Sequence, residues 1–130
     1  MKAAASAGAD AVKFQLVYAD ELATPDYKYY DLFKSLELSD EVWKNISNVA
    51  EENKIALHFD VFGKKSLQLA EQLKSEAIKI HGTDISNKRL LNLVAKSKIQ
   101  EVILGAGGAL QSEILVALDL LKNKKIILLF

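Results

Sequence analysis

The stretch Gly-Ala-Asp-Ala-Val-Lys-Phe-Gln, residues 8–15, determines how the rest of the chain is interpreted. Gly8 follows an alanine-rich run and is suited to ending a helix, because glycine adopts the left-handed conformation without a Cβ clash. Ala11–Gln15 then alternates like a short strand, with Lys13 and Gln15 on the same face. A helix that ends directly before a strand is typical of a repeating β/α protein.

The polar face of this strand needs an explanation. In a closed parallel barrel the outward face is covered by helices, so Val12 and Phe14 are predicted to point outward and Lys13 and Gln15 inward. An unpaired buried ammonium group is energetically costly. Lys13 is therefore expected to have a charged partner or an anionic ligand inside the barrel.

Composition limits the classes of protein to which the chain can belong. At 130 residues, half of them hydrophobic, it is long enough for one domain with a core, which we take as residues 1–130. Lys plus Arg and Asp plus Glu are equal at 17 each, and cysteine is absent. The N-terminus has no long apolar run of the kind found in signal peptides. We expect a cytoplasmic location, with neither nucleic acid nor membrane as a partner.

Outward from the opening stretch, strands and amphipathic helices alternate. Further strands are predicted at Ile55–Phe59, Ala77–Ile80, Val102–Leu104 and Lys125–Phe130. The helices between them are predicted by one N-cap at Ser39, a second at Ser86, an apolar pattern over Ser66–Leu73, and a final face formed by Ile114, Leu115, Leu118 and Leu121. This order indicates consecutive β/α units of a parallel sheet with right-handed crossovers.

The fold class is therefore α/β: a partial TIM (β/α)₈ barrel of about five parallel strands with intervening helices. A complete barrel has roughly 250 residues. Because the chain begins within a predicted helix and ends on an apolar strand, we expect a fragment. Half a barrel leaves two strand edges unpaired and exposes inner residues such as Leu57 or Ile103, so residues 1–130 alone are expected to associate or aggregate.

The connection over residues 16–38 is unusually long and holds Pro25 and all four tyrosines of the chain, three of them close together at positions 27, 29 and 30. Two interpretations remain open. Long connections inside a compact domain are often functional loops or lids. The aromatic side chains can instead pack the loop against the surface.

Polar side chains converge on the C-terminal ends of the predicted strands, where parallel α/β proteins keep their chemistry. Alternation predicts that the converging set comprises Lys13, Gln15, His58, Asp60, Lys79 and His81. Two lysines favour an anionic ligand, such as a carboxylate or a phosphate. Either histidine can instead be structural, and Asp60 can simply pair with a lysine.

The loop Gly105-Ala106-Gly107-Gly108 follows a predicted strand and precedes a helix. Such small residues allow backbone N–H groups to approach a phosphate at a helix N-terminus, which makes Gly105 and Gly107 candidate substrate-binding residues. Glycines also serve tight turns between strands and helices. The glycine-rich loop therefore indicates a phosphate site only in combination with the two inward lysines.

Three segments carry a family resemblance: Gly8–Gln15, Leu36–Ser39 and Ile78–Ile80 resemble the barrel domain of the sialic acid (N-acetylneuraminate) synthase family. The resemblance spans essentially the whole chain and matches it to barrel strands two to six. It implies a transferase of nonulosonic acid biosynthesis, which condenses phosphoenolpyruvate with an N-acetylmannosamine-like amino sugar.

The resemblance also implies roles for individual residues. The lysines matching Lys13 and Lys79 help hold phosphoenolpyruvate, and the glutamine matching Gln15 lies near the sugar site. Asp84 stands where the family usually has a glutamate at the same mouth, which makes it the candidate catalytic residue. A divalent metal, Mn²⁺ or Mg²⁺, is expected, although no ligands for it are identified in this chain. The full-length protein is expected to be a homodimer.

Several positions depart from the family pattern. Phe59-Asp60-Val61-Phe62 replaces Ser-Thr-Pro-Phe, Gly82 replaces a serine, and Gly105-Ala106-Gly107 replaces Ser-Thr-Gly. Phe130 falls where a metal-binding histidine ends the sixth strand. Hydroxyl groups that would contact the phosphate are therefore missing, which indicates a divergent branch or a chain that is no longer a synthase.

Two alternatives to the synthase remain open. Lys13 or Lys79, if desolvated, can form a Schiff base as in class I aldolases, which needs no metal. The chain can also be a degenerate, non-catalytic barrel fragment that binds or assembles. In every case the 130-residue chain by itself is expected to be inactive.

Overall fold

The computed structural model describes all 130 residues and contains one sheet of five parallel strands. The strands are β1 (Ala11–Gln15), β2 (Ala56–Asp60), β3 (Ala77–Ile80), β4 (Glu101–Gly105) and β5 (Lys125–Leu129). Their order in the sheet is the order in the sequence, β1-β2-β3-β4-β5. A doubly wound sheet reverses its strand order at a switch point, whereas a barrel wall does not. The prediction of a partial TIM barrel is confirmed.

Seven α-helices accompany the sheet: α1 (Lys2–Ser6), α2 (Ala19–Leu22), α3 (Tyr30–Ser35), α4 (Asp40–Glu52), α5 (Lys64–Gln72), α6 (Lys88–Lys96) and α7 (Gln111–Leu120). A short 3₁₀ helix, Gly82–Asp84, follows β3. Gly8, between α1 and β1, has the predicted left-handed backbone, with φ of +82°. None of the helices combines the length and the apolar character needed to cross a lipid bilayer.

The core lies between the outer face of the sheet and the helices. Trp43 of α4 is its aromatic centre, with its ring centroid 6.1 Å from that of Phe14 and 5.7 Å from that of Phe59, both in edge-to-face geometry. Outward-facing residues of the central strands, including Ile78 and Val102, are fully buried. The predicted outward direction of Val12 and Phe14 is confirmed, since both pack against this core.

Two details of the helices differ from the sequence prediction. The cap of α6 is Asn87, whose Oδ1 accepts from the Leu90 N–H at 3.1 Å, while Ser86 Oγ donates to Glu113 Oε1 at 3.0 Å. In α7, Leu115 is 58% exposed and Ala117 is buried instead. Residues 114–118 of this helix are all apolar, so periodicity alone does not select the buried face. The Ser39 cap of α4 is confirmed, with Oγ accepting from the Val42 N–H.

The long connection after β1 folds into α2 and α3. Its first part is packed, since Leu16 and Ala19 are fully buried. Tyr27 and Tyr29 lie at the surface, where Tyr27 stacks on Phe33, whereas Tyr18 packs against the core. The packed-loop interpretation therefore holds for the first residues only.

The apolar residues that are exposed on the inner face are not the ones that were predicted. Leu57 is buried on the outer face, and Ile103 is half-buried. The exposed apolar side chains of this wall belong to the last strand, at Ile127 and Leu129. Both lie on the same side of the sheet as Ile103, which pairs with Ile127.

Candidate functional site

Strand register brings the polar residues of three strands together. Gln15 of β1 pairs with Asp60 of β2, and Asp60 pairs with Lys79 of β3. Directly paired residues of neighbouring strands point to the same face of a sheet, and here that face is the inner one. Lys13 reaches the group from two residues earlier in β1, and His81 follows the end of β3.

Asp60 is the centre of this arrangement, which we call the Asp60 cluster: Lys13, Gln15, Asp60, Lys79 and His81. Lys13 Nζ lies 2.8 Å from Asp60 Oδ1, and Lys79 Nζ lies 3.6 Å from Oδ2. His81 Nε2 lies 2.8 Å from Oδ2, and Gln15 Nε2 donates to the same oxygen at 3.4 Å. The predicted convergence of both lysines with Gln15 is therefore observed, and so is the pairing of Asp60 with a lysine.

The Asp60 side chain is only 1% exposed, compared with 14% for Lys79 and 37% for Lys13. Burial raises the pKa of the Asp60 carboxyl, but the contacts with Lys13, His81 and Lys79 lower it by more, so its pKa lies below the ordinary value. Asp60 is therefore ionised at neutral pH. Although Lys13 Nζ is close to Oδ1, the contact is an ion pair rather than an aligned hydrogen bond.

His81 and His58, which were predicted together, separate in the structure. The His81 ring lies against Phe62, with 5.1 Å between ring centroids, and is held by Asp60. His58 is one layer deeper, in register with Lys13 and Ala77, and makes no ion pair. One histidine rather than two therefore belongs to the cluster, because β2 reaches the mouth with Asp60 and not with His58.

The two candidate glycines differ in their surroundings. A Cβ on Gly105 would lie 2.8 Å from the Gly82 backbone nitrogen and 3.1 Å from the Ile80 carbonyl oxygen. Gly105 therefore allows the ends of β3 and β4 to approach each other. A Cβ on Gly107 would meet nothing within 4 Å. Of the two, only Gly107 lies where an approaching ligand would find open space.

Asp84, the candidate catalytic residue, does not join the Asp60 cluster. It belongs to the 3₁₀ helix that follows β3, and its Oδ1 accepts a hydrogen bond from Asn87 Nδ2 at 3.1 Å. It is partly exposed and makes no ion pair with either cluster lysine. Its present contact serves the turn before α6.

Asp60 and His81 were predicted in the converging set, but the sequence assigned neither a binding nor a catalytic role. The available signal was the alternation in β2 and β3, which places both on the inner face. What the sequence lacked was the register, since only the Asp60–Lys79 pairing shows that one carboxylate serves all the basic groups.

The Asp60 cluster does not fit a divalent metal. Asp60 Oδ2 and His81 Nε2 are ligand-type atoms, but no group of three or more such side chains lies together in the chain. Asp60 is also flanked by two ammonium groups, which would repel a cation. A single carboxylate between two ammonium groups is therefore not the donor set of a metal site.

The larger pockets of the chain lie away from the cluster, including one of about 420 Å³ lined by Gln68, Glu71, Gln72 and Lys98. A pocket of about 360 Å³ lies at the opposite end of the strands and is lined by residues such as Ala50 and Ile55. Another, of about 280 Å³, lies between Phe62 and α6. The cluster lines none of these pockets, and its Lys13 and His81 side chains are 37% and 30% exposed.

The fold and the cluster define a β/α-barrel wall whose C-terminal mouth presents two lysines. Residues 1–130 match the model of the NeuB family. The chain belongs to that family.

Individual relatives match over most of this chain. The chain is 35% identical over 123 residues to an uncharacterised protein of Methanocaldococcus jannaschii, covering 95% of this chain and 36% of that protein. It is 31% identical over 134 residues to the N,N'-diacetyllegionaminic acid synthase of Legionella pneumophila, covering 92% of this chain and 37% of the synthase. The chain thus spans little more than a third of the curated relatives it matches.

A solved structure matches over nearly the whole chain. It is the N-acetylneuraminic acid (sialic acid) synthetase of Leptospira borgpetersenii in complex with citrate, with a TM-score of 0.89 and 29% identity. The match covers 98% of this chain and 45% of the synthetase. The resemblance stated from the sequence, to the barrel of this family, is confirmed.

Proposed function

We propose that the chain is the barrel segment, strands two to six, of a nonulosonic acid synthase. The reaction joins C3 of phosphoenolpyruvate to the aldehyde carbon of an N-acetylmannosamine-like amino sugar. Water adds at C2 of the phosphoenolpyruvate, and its phosphate leaves. The observation that carries the proposal is the presence of Lys13 and Lys79 on either side of one buried carboxylate at the barrel mouth, in a chain of the NeuB family.

The residues of the chain have defined tasks in this proposal. Lys13 and Lys79 bind the carboxylate and phosphate of phosphoenolpyruvate as point charges and form no covalent bond. Gln15 orients the sugar through its amide, and Asp84 serves proton transfer at the same mouth. A divalent metal remains part of the proposed enzyme, but the Asp60 cluster does not supply its ligands. The resemblance further supports a homodimer in the cytoplasm.

A coupled substrate requirement tests this function. A longer protein that carries this chain, incubated with phosphoenolpyruvate, N-acetylmannosamine and Mn²⁺, is expected to release phosphate only when both substrates are present. Lys79→Gln should reduce that release strongly. The matched control is Lys122→Gln, because the Lys122 side chain is 70% exposed and lies at the end of α7, in contact with Asp119. Absence of release with a panel of related sugars, or equal loss in both variants, would contradict the proposal.

The Schiff-base alternative is weakened by the ion pairs. A Schiff base requires a free amine nitrogen, whereas the nitrogens of Lys13 and Lys79 are both in contact with the Asp60 carboxylate. Borohydride reduction in the presence of pyruvate would separate the two reactions. A mass adduct on either lysine would favour the aldolase, and its absence favours the synthase.

A degenerate, binding-only barrel is favoured by one observation. Asp60 neutralises part of the positive charge that a phosphate would require. The phosphate-release assay distinguishes the synthase from a binding-only barrel, since a binding-only barrel would retain ligand affinity without turnover.

A further inference from the structure

Asp60 lies where the positively charged side chains of the site would otherwise attract an anionic ligand. It is the single carboxylate that contacts Lys13, Lys79 and His81, at distances of 2.8, 3.6 and 2.8 Å. With 1% of its side chain exposed, it cannot turn into solvent while the strands stay paired. The two ammonium groups therefore carry a permanent internal anion between them.

This anion changes which ligands the lysines can hold. Without Asp60, the two lysines would present two positive charges, while with it the net charge of the three groups is one. The repulsion between Asp60 and a ligand grows with the ligand's own negative charge. A dianionic phosphate is disfavoured more than a single carboxylate at the same place.

We propose that Asp60 is a specificity-determining internal counter-ion, which lowers the affinity of the two-lysine site for dianionic phosphate groups relative to monoanionic carboxylates. This inference rests on the proposed function in taking the cluster as the anion site. It adds that the anionic ligand and Asp60 contact Lys13 and Lys79 at the same time, so that the ligand does not displace Asp60. The partial exposure of both lysines leaves ammonium hydrogens for such sharing.

The test compares ligands of different charge on a longer protein that carries this chain, as wild type and as Asp60→Asn, which removes the charge and keeps the shape. Phosphoenolpyruvate, inorganic phosphate and pyruvate are titrated by isothermal calorimetry or by ligand-observed NMR. Asp60→Asn is expected to tighten binding of phosphoenolpyruvate and phosphate by about tenfold or more, and of pyruvate by roughly threefold, because one repulsive charge is lost.

The matched control is Glu101→Gln. Glu101 lies on the inner face of β4, in an ion pair with Lys125 at 2.5 Å, and is not part of the Asp60 cluster. Glu101→Gln removes the same charge from the same face, but Glu101 contacts neither Lys13 nor Lys79, so its effect on all three ligands should stay within about twofold after screening. An equal gain in both variants would overturn the inference, since it would show a general effect of net charge.

Other outcomes also decide the question. Unchanged or weaker phosphate binding in Asp60→Asn would overturn the inference, because Asp60 would then act by positioning the lysines. If Asp60→Asn lacks the circular dichroism of the folded chain, Asp60→Thr provides a second neutral variant. Tighter phosphate binding without turnover in the longer protein would sustain it while refuting the synthase.

Discussion

Gly105→Ala should lower the free energy of unfolding and Gly107→Ala should not, although both glycines lie in one short loop region. At Gly105 the new Cβ would lie 2.8 Å from the Gly82 nitrogen and 3.1 Å from the Ile80 oxygen, which are backbone atoms. They cannot move independently, because β3 and β4 are paired as far as Ile80 and Leu104. The strand ends would have to separate.

The expected magnitudes follow from these contacts. Overpacking typically lowers the free energy of unfolding by about 1–3 kcal/mol. Because the atoms that the new Cβ would meet belong to the backbone and cannot move aside as a side chain could, Gly105→Ala is expected to cost about 2–3 kcal/mol. Gly107 has open space around it and no positive φ. Gly107→Ala should therefore lie within about 0.5 kcal/mol of the wild type, as for most surface changes.

Urea denaturation followed by circular dichroism measures both free energies of unfolding. All samples are compared at one protein concentration, because association would shift the apparent stability. A loss below about 0.5 kcal/mol for Gly105→Ala would refute the close-approach argument, since surface substitutions typically fall in that range. So would a loss for Gly107→Ala as large as that for Gly105→Ala.

Three further predictions concern the core, the buried charge and the open strand edges. Trp43→Ala should lower the free energy of unfolding by about 3–5 kcal/mol, because it removes the side chain that joins Phe14 to Phe59; a loss under about 1 kcal/mol in the same urea assay would contradict this. Ionised Asp60 has a lowered pKa, so its stabilisation is present above the ordinary unfolded value of about 3.9 and is lost as pH falls through the lower native value. The difference in stability between wild type and Asp60→Asn should therefore shrink below about pH 4, and a constant difference would be inconsistent with the ion pairs. Residues 1–130 alone should associate or aggregate with rising concentration in size-exclusion chromatography with light scattering, whereas a 14.4 kDa monomer with a cooperative, concentration-independent melt would contradict this.

Most of the fold could be predicted from the sequence because its signals are local. Alternation over Ala11–Gln15 and the spacing of the later strands each depend on a few neighbouring residues, and all five strands overlap their predicted ranges. The cap of α6 was misplaced by one residue, because Ser86 and Asn87 are both good caps and only the tertiary contact with Glu113 separates them.

The site could be predicted only in part, because register is not a local property. The inner direction of Lys13, Gln15 and Lys79 follows from alternation, but their meeting at Asp60 depends on how the strands pair. The close-approach role of Gly105 required the position of the neighbouring strand. The separation of His58 from His81 by depth in the barrel wall was equally invisible in the sequence.

Binding of phosphoenolpyruvate by the lysine pair tests the central claim most directly. A calorimetric titration compares the longer protein with its Lys13→Gln, Lys79→Gln and Lys122→Gln variants. The account predicts saturable binding that weakens by about tenfold or more in each of the first two variants, as expected for loss of a charge-assisted contact, and is unchanged in the third. Equal affinity in all four proteins would contradict the assignment of Lys13 and Lys79 as the anion-binding residues.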